Sequence, residues 1–142
     1  MTTSVVRLRW SGEGQRYEGG RVAGPTIVID SDGAAGPSPT MALLLALGGC
    51  MAVDVIEIAT KMRLAVAGLE VEVAGERRSE PPRRFTAIRL RYTVSGVARE
   101  DEAKIWRAVD LSRDKYCSVW HTLKDDIDLS IAVELRGTGE QS

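Results

Sequence analysis

Cys50 and Cys117 are the only cysteines in this chain and the only side chains that look like nucleophiles. Cys50 lies in Gly48-Gly49-Cys50-Met51-Ala52-Val53-Asp54, deep in an apolar, helix-like stretch; Cys117 lies in Lys115-Tyr116-Cys117-Ser118-Val119. Such thiols can be packing atoms, because free cysteine is among the most buried residue types. They can also be a reacting pair. Gly48-Gly49 leans toward reaction: two glycines inside a helix cost about 2 kcal/mol of propensity relative to two alanines. That cost is reasonable where a ligand or a second backbone must come close to the thiol. A free thiol with pKa about 8.5 is mostly protonated at neutral pH, so a reactive Cys50 needs a cation. The helix dipole gives little help, since Cys50 sits about three turns from the expected helix start. Asp54, one turn on, would oppose ionisation if it faced the thiol. Arg16 and Arg21, on a glycine-flanked hairpin ahead of the helix, are the candidate cations. An edge arginine is otherwise a solvated side chain.

The elements that must hold these residues follow from periodicity. Val6, Leu8 and Trp10 alternate with Arg7 and Arg9, the pattern of a half-buried strand. Arg16-Tyr17-Glu18, closed by Gly19-Gly20, and Thr26 to Asp30 complete an antiparallel meander with tight turns. Ser38 is a good N-cap and Pro39 suits the first helical position, so a helix is expected to run from there to about Met62-Arg63. It is apolar nearly all round from Met41 to Ile58. A helix of that kind is buried on more than one side, more cover than one sheet of so small a domain provides, and this points to a dimer. Leu69 to Val73 and Ala87 to Val94 alternate cleanly and form a long antiparallel hairpin whose tip carries Pro81-Pro82. A second helix is expected over about Glu100 to Lys115, a short helical piece over Cys117 to Leu123, and a closing strand over Ile127 to Leu135. The order β-β-β-α-β-β-α-α-β describes one α+β domain over residues 1–136 and a disordered tail over 137–142.

Bulk properties exclude several functions. The chain has 142 residues, long enough for one domain with a real core, and 44% apolar content. Lys and Arg number 19 and Asp and Glu 20, so no strong field recruits nucleic acid or an anionic membrane. One Phe, three Tyr and three Trp make a poor base-stacking platform. No nucleic acid and no membrane are expected as partners. Met1 to Arg7 has no apolar core of signal-peptide length, and the apolar run Met41–Cys50 is too short for a bilayer. A soluble, cytoplasmic protein is expected. Two cysteines and the single histidine, His121, make a poor zinc site, so no metal is expected. His121 suits a surface or interface role better than acid–base work.

Three runs taken together, Gly36-Pro37-Ser38-Pro39, Leu43 to Cys50 and Lys115 to Val119, resemble the OsmC/Ohr family of thiol peroxidases. The likeness extends from the Trp10 strand to the last strand. It implies an OsmC-like fold built as an intertwined homodimer, with central helices packed against antiparallel sheets and active sites at the subunit interface. It implies that Cys50 is peroxidatic and Cys117 resolving, and that an organic hydroperoxide is reduced without metal, haem, flavin or other cofactor. A dithiol, such as a lipoyl or thioredoxin-like one, would then reduce the disulfide. Met41, Leu44, Leu47, Met51 and Trp120 would line an apolar substrate site. The sequence departs from the best-studied members at the helix start, where Ser38-Pro39-Thr40 replaces Asn-Pro-Glu and its carboxylate. That places it nearer the less characterised OsmC-like branch. The rival function is a non-enzymatic dimer that binds an apolar ligand or acts as a slow redox sensor.

Overall fold

In the computed structural model, residues 1–137 are described; the expected tail, beyond Gly137, lies outside them. The chain divides into two compact units at Leu43/Leu44. The first holds strands β1 (Val6–Trp10), β2 (Arg16–Arg21) and β3 (Thr26–Asp30), an antiparallel meander in the order β1-β2-β3. Trp10 pairs with Tyr17 and Arg16 with Asp30. The Trp10 indole N–H donates to the Gly14 carbonyl at 2.9 Å and fixes the first turn. Two expectations change here. β1 was read as half-buried, but all five of its residues are exposed. Gly19-Gly20 was read as closing β2, yet the strand runs through both to Arg21. The reason is crowding across the ladder: a Cβ on Gly19 would sit 2.6 Å from the Arg7 carbonyl oxygen and 2.8 Å from Leu8 Cδ1.

Helix α1 (Pro39–Lys61) starts as its sequence demands. Pro39 is its first residue, and the Ser38 hydroxyl accepts the Met41 N–H at 3.3 Å. The helix does not break at Gly48-Gly49, so the apolar run is longer than the segment read as too short for a bilayer. By length and composition alone α1 is long and apolar enough to cross a membrane. Only one face is buried within the chain: Leu47, Met51, Val55 and Ala59, one residue per turn, lie in the second unit's core, while Leu45, Val53 and Ile56 are exposed, so the expected burial on more than one side is not met by this chain alone.

The second unit contains that part of α1, strands β4 (Gly68–Arg77) and β5 (Phe85–Ser95), helix α2 (Glu102–Leu111), helix α3 (Ser118–Thr122) and strand β6 (Asp128–Arg136). A single 3₁₀ turn (Arg99–Asp101) leads into α2, and a π-turn (Ser112–Tyr116) joins α2 to α3. The sheet order is β4-β5-β6, with β5 at the centre. β4 and β5 form the long antiparallel hairpin, but β6 runs parallel to β5, from Ala87↔Asp128 to Ser95↔Arg136. The expected all-antiparallel arrangement is corrected on this point. A hairpin reverses the chain, whereas the α2–α3 crossover returns it to the end where β5 began, and a strand entered there must run parallel. Ile88, Leu90, Tyr92 and Val94 alternate inward from β5 and meet Ile105, Ala108 and Val109 of α2 in one core. The second helix ends at Leu111, not near Lys115, because the last stretch widens into the π-turn.

Candidate active site

Both cysteines belong to the second unit. Cys50 projects from α1 and is half-buried; Cys117, between the π-turn and α3, is fully buried. The fold brings both into one core, Cys117 within the buried cluster and Cys50 packed against it, and Cys50 is among the groups that raise the Cys117 thiol.

The backbone around Cys117 is held at both ends. Its N–H donates to the Ser112 carbonyl at 2.8 Å, closing the widened turn, and its own carbonyl accepts the His121 N–H at 3.1 Å. The Cys117 sulfur caps α3, accepting the Trp120 N–H at 3.4 Å. Ser112 also ties this turn to α1, because its buried hydroxyl donates to Asp54 Oδ2 at 2.8 Å. Asp54 follows Cys50 by one helical turn, so the two share a face of α1.

Burial is the largest influence on the Cys117 thiol and disfavours its thiolate. The Trp120 N–H works in the other direction, while Cys50 and the Asp54 charge add to burial; together they push the thiol up to about 11. Asp54 therefore opposes ionisation of Cys117. The Tyr92 hydroxyl is pushed up too, by burial first, then by Cys117 and Asp54. That hydroxyl is buried and has no hydrogen-bond partner among the described residues.

The remaining candidates fall in several places. Arg16 belongs to the first unit, where its guanidinium lies 4.0 Å from Glu13 and its charge helps hold the Asp30 carboxyl below the usual carboxylate range. The larger causes at Asp30 are the backbone N–H groups of Ala35 and Asp32, each at 2.9 Å. Arg21 ends β2, exposed, and its carbonyl accepts the Gly24 N–H across a tight turn. Of the apolar candidates, Met41 is exposed and belongs to the first unit. Leu44 and Trp120 are half-buried against the second unit's core, and Leu47 and Met51 are enclosed within it. A concavity of about 400 Å³ opens over the charged residues Glu72, Arg89 and Arg91 of the β4-β5-β6 sheet and contains neither cysteine. Thr40 lies at the start of α1, its hydroxyl 3.4 Å from that of Ser38.

Tyr92 and Ser112 were missed as site residues. Tyr92 had a signal in the sequence, a tyrosine on the inward row otherwise held by Ile88, Leu90 and Val94. A polar tip there must find a partner or go without one. Ser112 had no comparable signal, since nothing local says that its turn widens and faces α1.

A model of the OsmC-like protein family matches residues 31–132. Protein YhfA of Escherichia coli (strain K12) is 41% identical over 131 residues, covering 92% of this chain and 96% of that relative. Among solved structures, a hypothetical protein from Aquifex aeolicus VF5 is 29% identical with a TM-score of 0.83, covering 99% of this chain and 100% of that one. The organic hydroperoxide resistance protein OhrB of Bacillus subtilis matches with a TM-score of 0.59 at 16% identity, covering 95% and 98% of the two chains, a likeness of fold alone.

Proposed function

The chain belongs to the OsmC-like protein family, and from that premise we propose that it is a cysteine-based peroxidase that reduces organic hydroperoxides in oxidative-stress defence. Cys50 is the peroxidatic residue and Cys117 the resolving one. The single observation that supports this reading is that a half-buried and a fully buried cysteine, from elements far apart in sequence, share the core of the second unit. The unequal burial suits the division of roles: the more accessible sulfur meets the peroxide, and the enclosed one waits for the product.

In the first step the Cys50 thiolate attacks the hydroperoxide. An S–O bond forms, the O–O bond breaks and an alkoxide leaves, taking up the proton that the Cys50 thiol released to become the alcohol, so that Cys50 becomes a sulfenic acid. In the second, the Cys117 sulfur displaces hydroxide from Cys50, giving a disulfide and, with the thiol proton, water. An external dithiol, lipoyl or thioredoxin-like, restores both thiols by exchange. Arg16 and Arg21 remain the candidate activating cations for Cys50, and Met41, Leu44, Leu47, Met51 and Trp120 the candidate apolar lining. The working form is a cytoplasmic homodimer. Exposed Leu45, Val53 and Ile56 on α1, and exposed Val6, Leu8 and Trp10 on β1, support an assembly that covers them.

The test is to mix reduced protein with a small excess of cumene hydroperoxide and follow free thiols by quenched intact mass. Rapid loss of both thiols to an intramolecular disulfide is expected, with Cys117→Ser stopping at sulfenic acid or overoxidation on Cys50. Thiols unchanged over minutes would sink the proposal. One observation favours a second reading, a non-enzymatic dimer that binds an apolar ligand or senses redox slowly: Cys117 is fully buried, which pushes its thiol up. Oxidation over hours instead of seconds would select it.

A further inference from the structure

The glycine pair inside β2 and the arginines beside it are unused by the two-cysteine scheme. Gly19 and Gly20 line a hollow of about 310 Å³ that lies wholly within the first unit. Arg7 and Arg9 of β1 and Arg21 of β2 stand around it. Strand register fixes how. Arg7 pairs with Gly20 and Arg9 with Glu18, and those two pair in turn with Thr26 and Val28. Arg7 and Arg9 therefore rise from one face of the sheet, about 7 Å apart along the strand. Gly20 is needed because a Cβ there would meet the Pro25 carbonyl oxygen, and the consequence is an open position opposite Arg7. Arg21 lies over the β2–β3 turn, its Nε 3.4 Å from where a Cβ on Gly24 would be.

Arg7, Arg9 and Arg21 are exposed, and none forms an ion pair among the described residues. The one acid among the described residues lining the hollow is Glu18, and its Oε1 already accepts the Thr26 hydroxyl at 2.6 Å. Three arginines against one glutamate leave two positive charges around the hollow. Val6, Leu8, Trp10 and Ile27 alternate onto the other face of the sheet. A partner that covers those apolar residues leaves the arginine face open.

We propose that this hollow binds a small phosphomonoester, its phosphate held by the Arg7 and Arg9 forks and its organic body in the space that Gly20 leaves opposite Arg7. Guanidinium forks match phosphate oxygens two at a time. A phosphomonoester carries close to two negative charges at neutral pH, which equals the surplus here. A monocarboxylate carries one charge and fills one fork. Ligand-sized hollows begin at about 300 Å³, so the ester is a small one. Nothing in this site involves the thiols, so it stands apart from the peroxidase reading. Arg21, a candidate activating cation for Cys50, is left in place by the test.

The test is to titrate the reduced, full-length, isotope-labelled protein with phenyl phosphate at low salt and follow amide shifts, with benzoate and inorganic phosphate in parallel. Saturable shifts are expected at Arg7 to Arg9 and Gly19 to Gly24, with benzoate bound at least about tenfold more weakly. Arg7→Gln with Arg9→Gln is expected to weaken phenyl phosphate by about thirtyfold or more. Both side chains are exposed, so the thermal midpoint of that variant is expected to hold, and a melt run beside the titration checks it. Arg7→Lys with Arg9→Lys keeps the charge and loses the forks, and is expected to bind less tightly than the wild type. No saturable shift, or shifts unchanged in the glutamine variant, would overturn the site. Benzoate or inorganic phosphate bound as tightly as phenyl phosphate would overturn the ligand class, and lysines as good as arginines would overturn the role of the forks.

Discussion

At Cys117 the balance of influences makes a stability claim. Its thiol is raised by burial, so the folded state holds that proton more tightly than the unfolded chain does. Below the unfolded value the contribution is fully present, and it is lost as pH climbs from about 9 to about 11. Urea unfolding of the reduced protein is expected to lose on the order of 1–2 kcal/mol more than Cys117→Ser does over that window. Equal losses would show that the thiol is not held in this way. Tyr92→Phe carries the opposite sign. Deleting an unpartnered buried hydroxyl removes a desolvation cost with no bond to lose, so the reduced variant is expected to gain about 1 kcal/mol. Thermal melts under reducing conditions check this. Neither Tyr92 nor the link from Ser112 to Asp54 was read as part of the site, because both depend on which strands and turns face each other. A reacting pair was implied by a resemblance; composition and periodicity alone favoured packing atoms.

Among the elements, α1 and β4 show what the glycine pair does. A Cβ on Gly48 would lie 2.8 Å from Val73 Cγ2, a short branched side chain with little room to yield, whereas Gly49 has nothing within 4 Å. Gly48 thus lets the helix lie close to the strand. Gly48→Ala gains about 1 kcal/mol of helix propensity but meets overpacking of about 1–3 kcal/mol, so a net loss is expected. Gly49→Ala, with propensity alone, is expected to gain up to about 1 kcal/mol. Urea midpoints for the two variants should move in opposite directions, and a gain at both would refute the close approach. The sequence reading assigned the cost of this pair to a ligand or a second backbone coming close to the thiol; at Gly48 the close neighbour is the Val73 side chain of β4. The element order was legible because each strand and helix carries its own periodicity. The direction of β6 was not, since alternation looks the same in parallel and antiparallel strands.

For the whole molecule, the informative feature is what remains uncovered on α1. Val53 is 56% exposed and Leu45 64%, on a helix whose opposite residues are fully enclosed. In a solitary chain Val53→Asp would change stability by no more than about 0.5 kcal/mol. In a homodimer covering that face it places a charge in an apolar contact. We therefore expect light scattering to find the wild type dimeric and Val53→Asp to weaken association by about thirtyfold or more, the scale of an interface hot spot. A wild type monomeric at micromolar concentration would remove the dimer from the proposal. The exposure of β1, read from the sequence as a half-buried strand, raises the same question about cover in the first unit. Alternation reports that one face of a strand is apolar, without saying which chain buries it.

The π-turn between α2 and α3 makes the meeting of the thiols depend on a count of residues. Cys117 bonds back five positions to Ser112, where an ordinary helix would bond back four. Deleting Lys115, an exposed residue of that turn, would let the segment relax to regular helical spacing and rotate the cysteine by about 100° about the axis. Cys50, Asp54, Tyr92, Ser112 and the cysteine itself would all still be present, but the two sulfurs would no longer share an azimuth. Such a deletant is expected to bind peroxide-derived oxygen at Cys50 and never close the disulfide, a lesion of phase in which no reacting atom is missing.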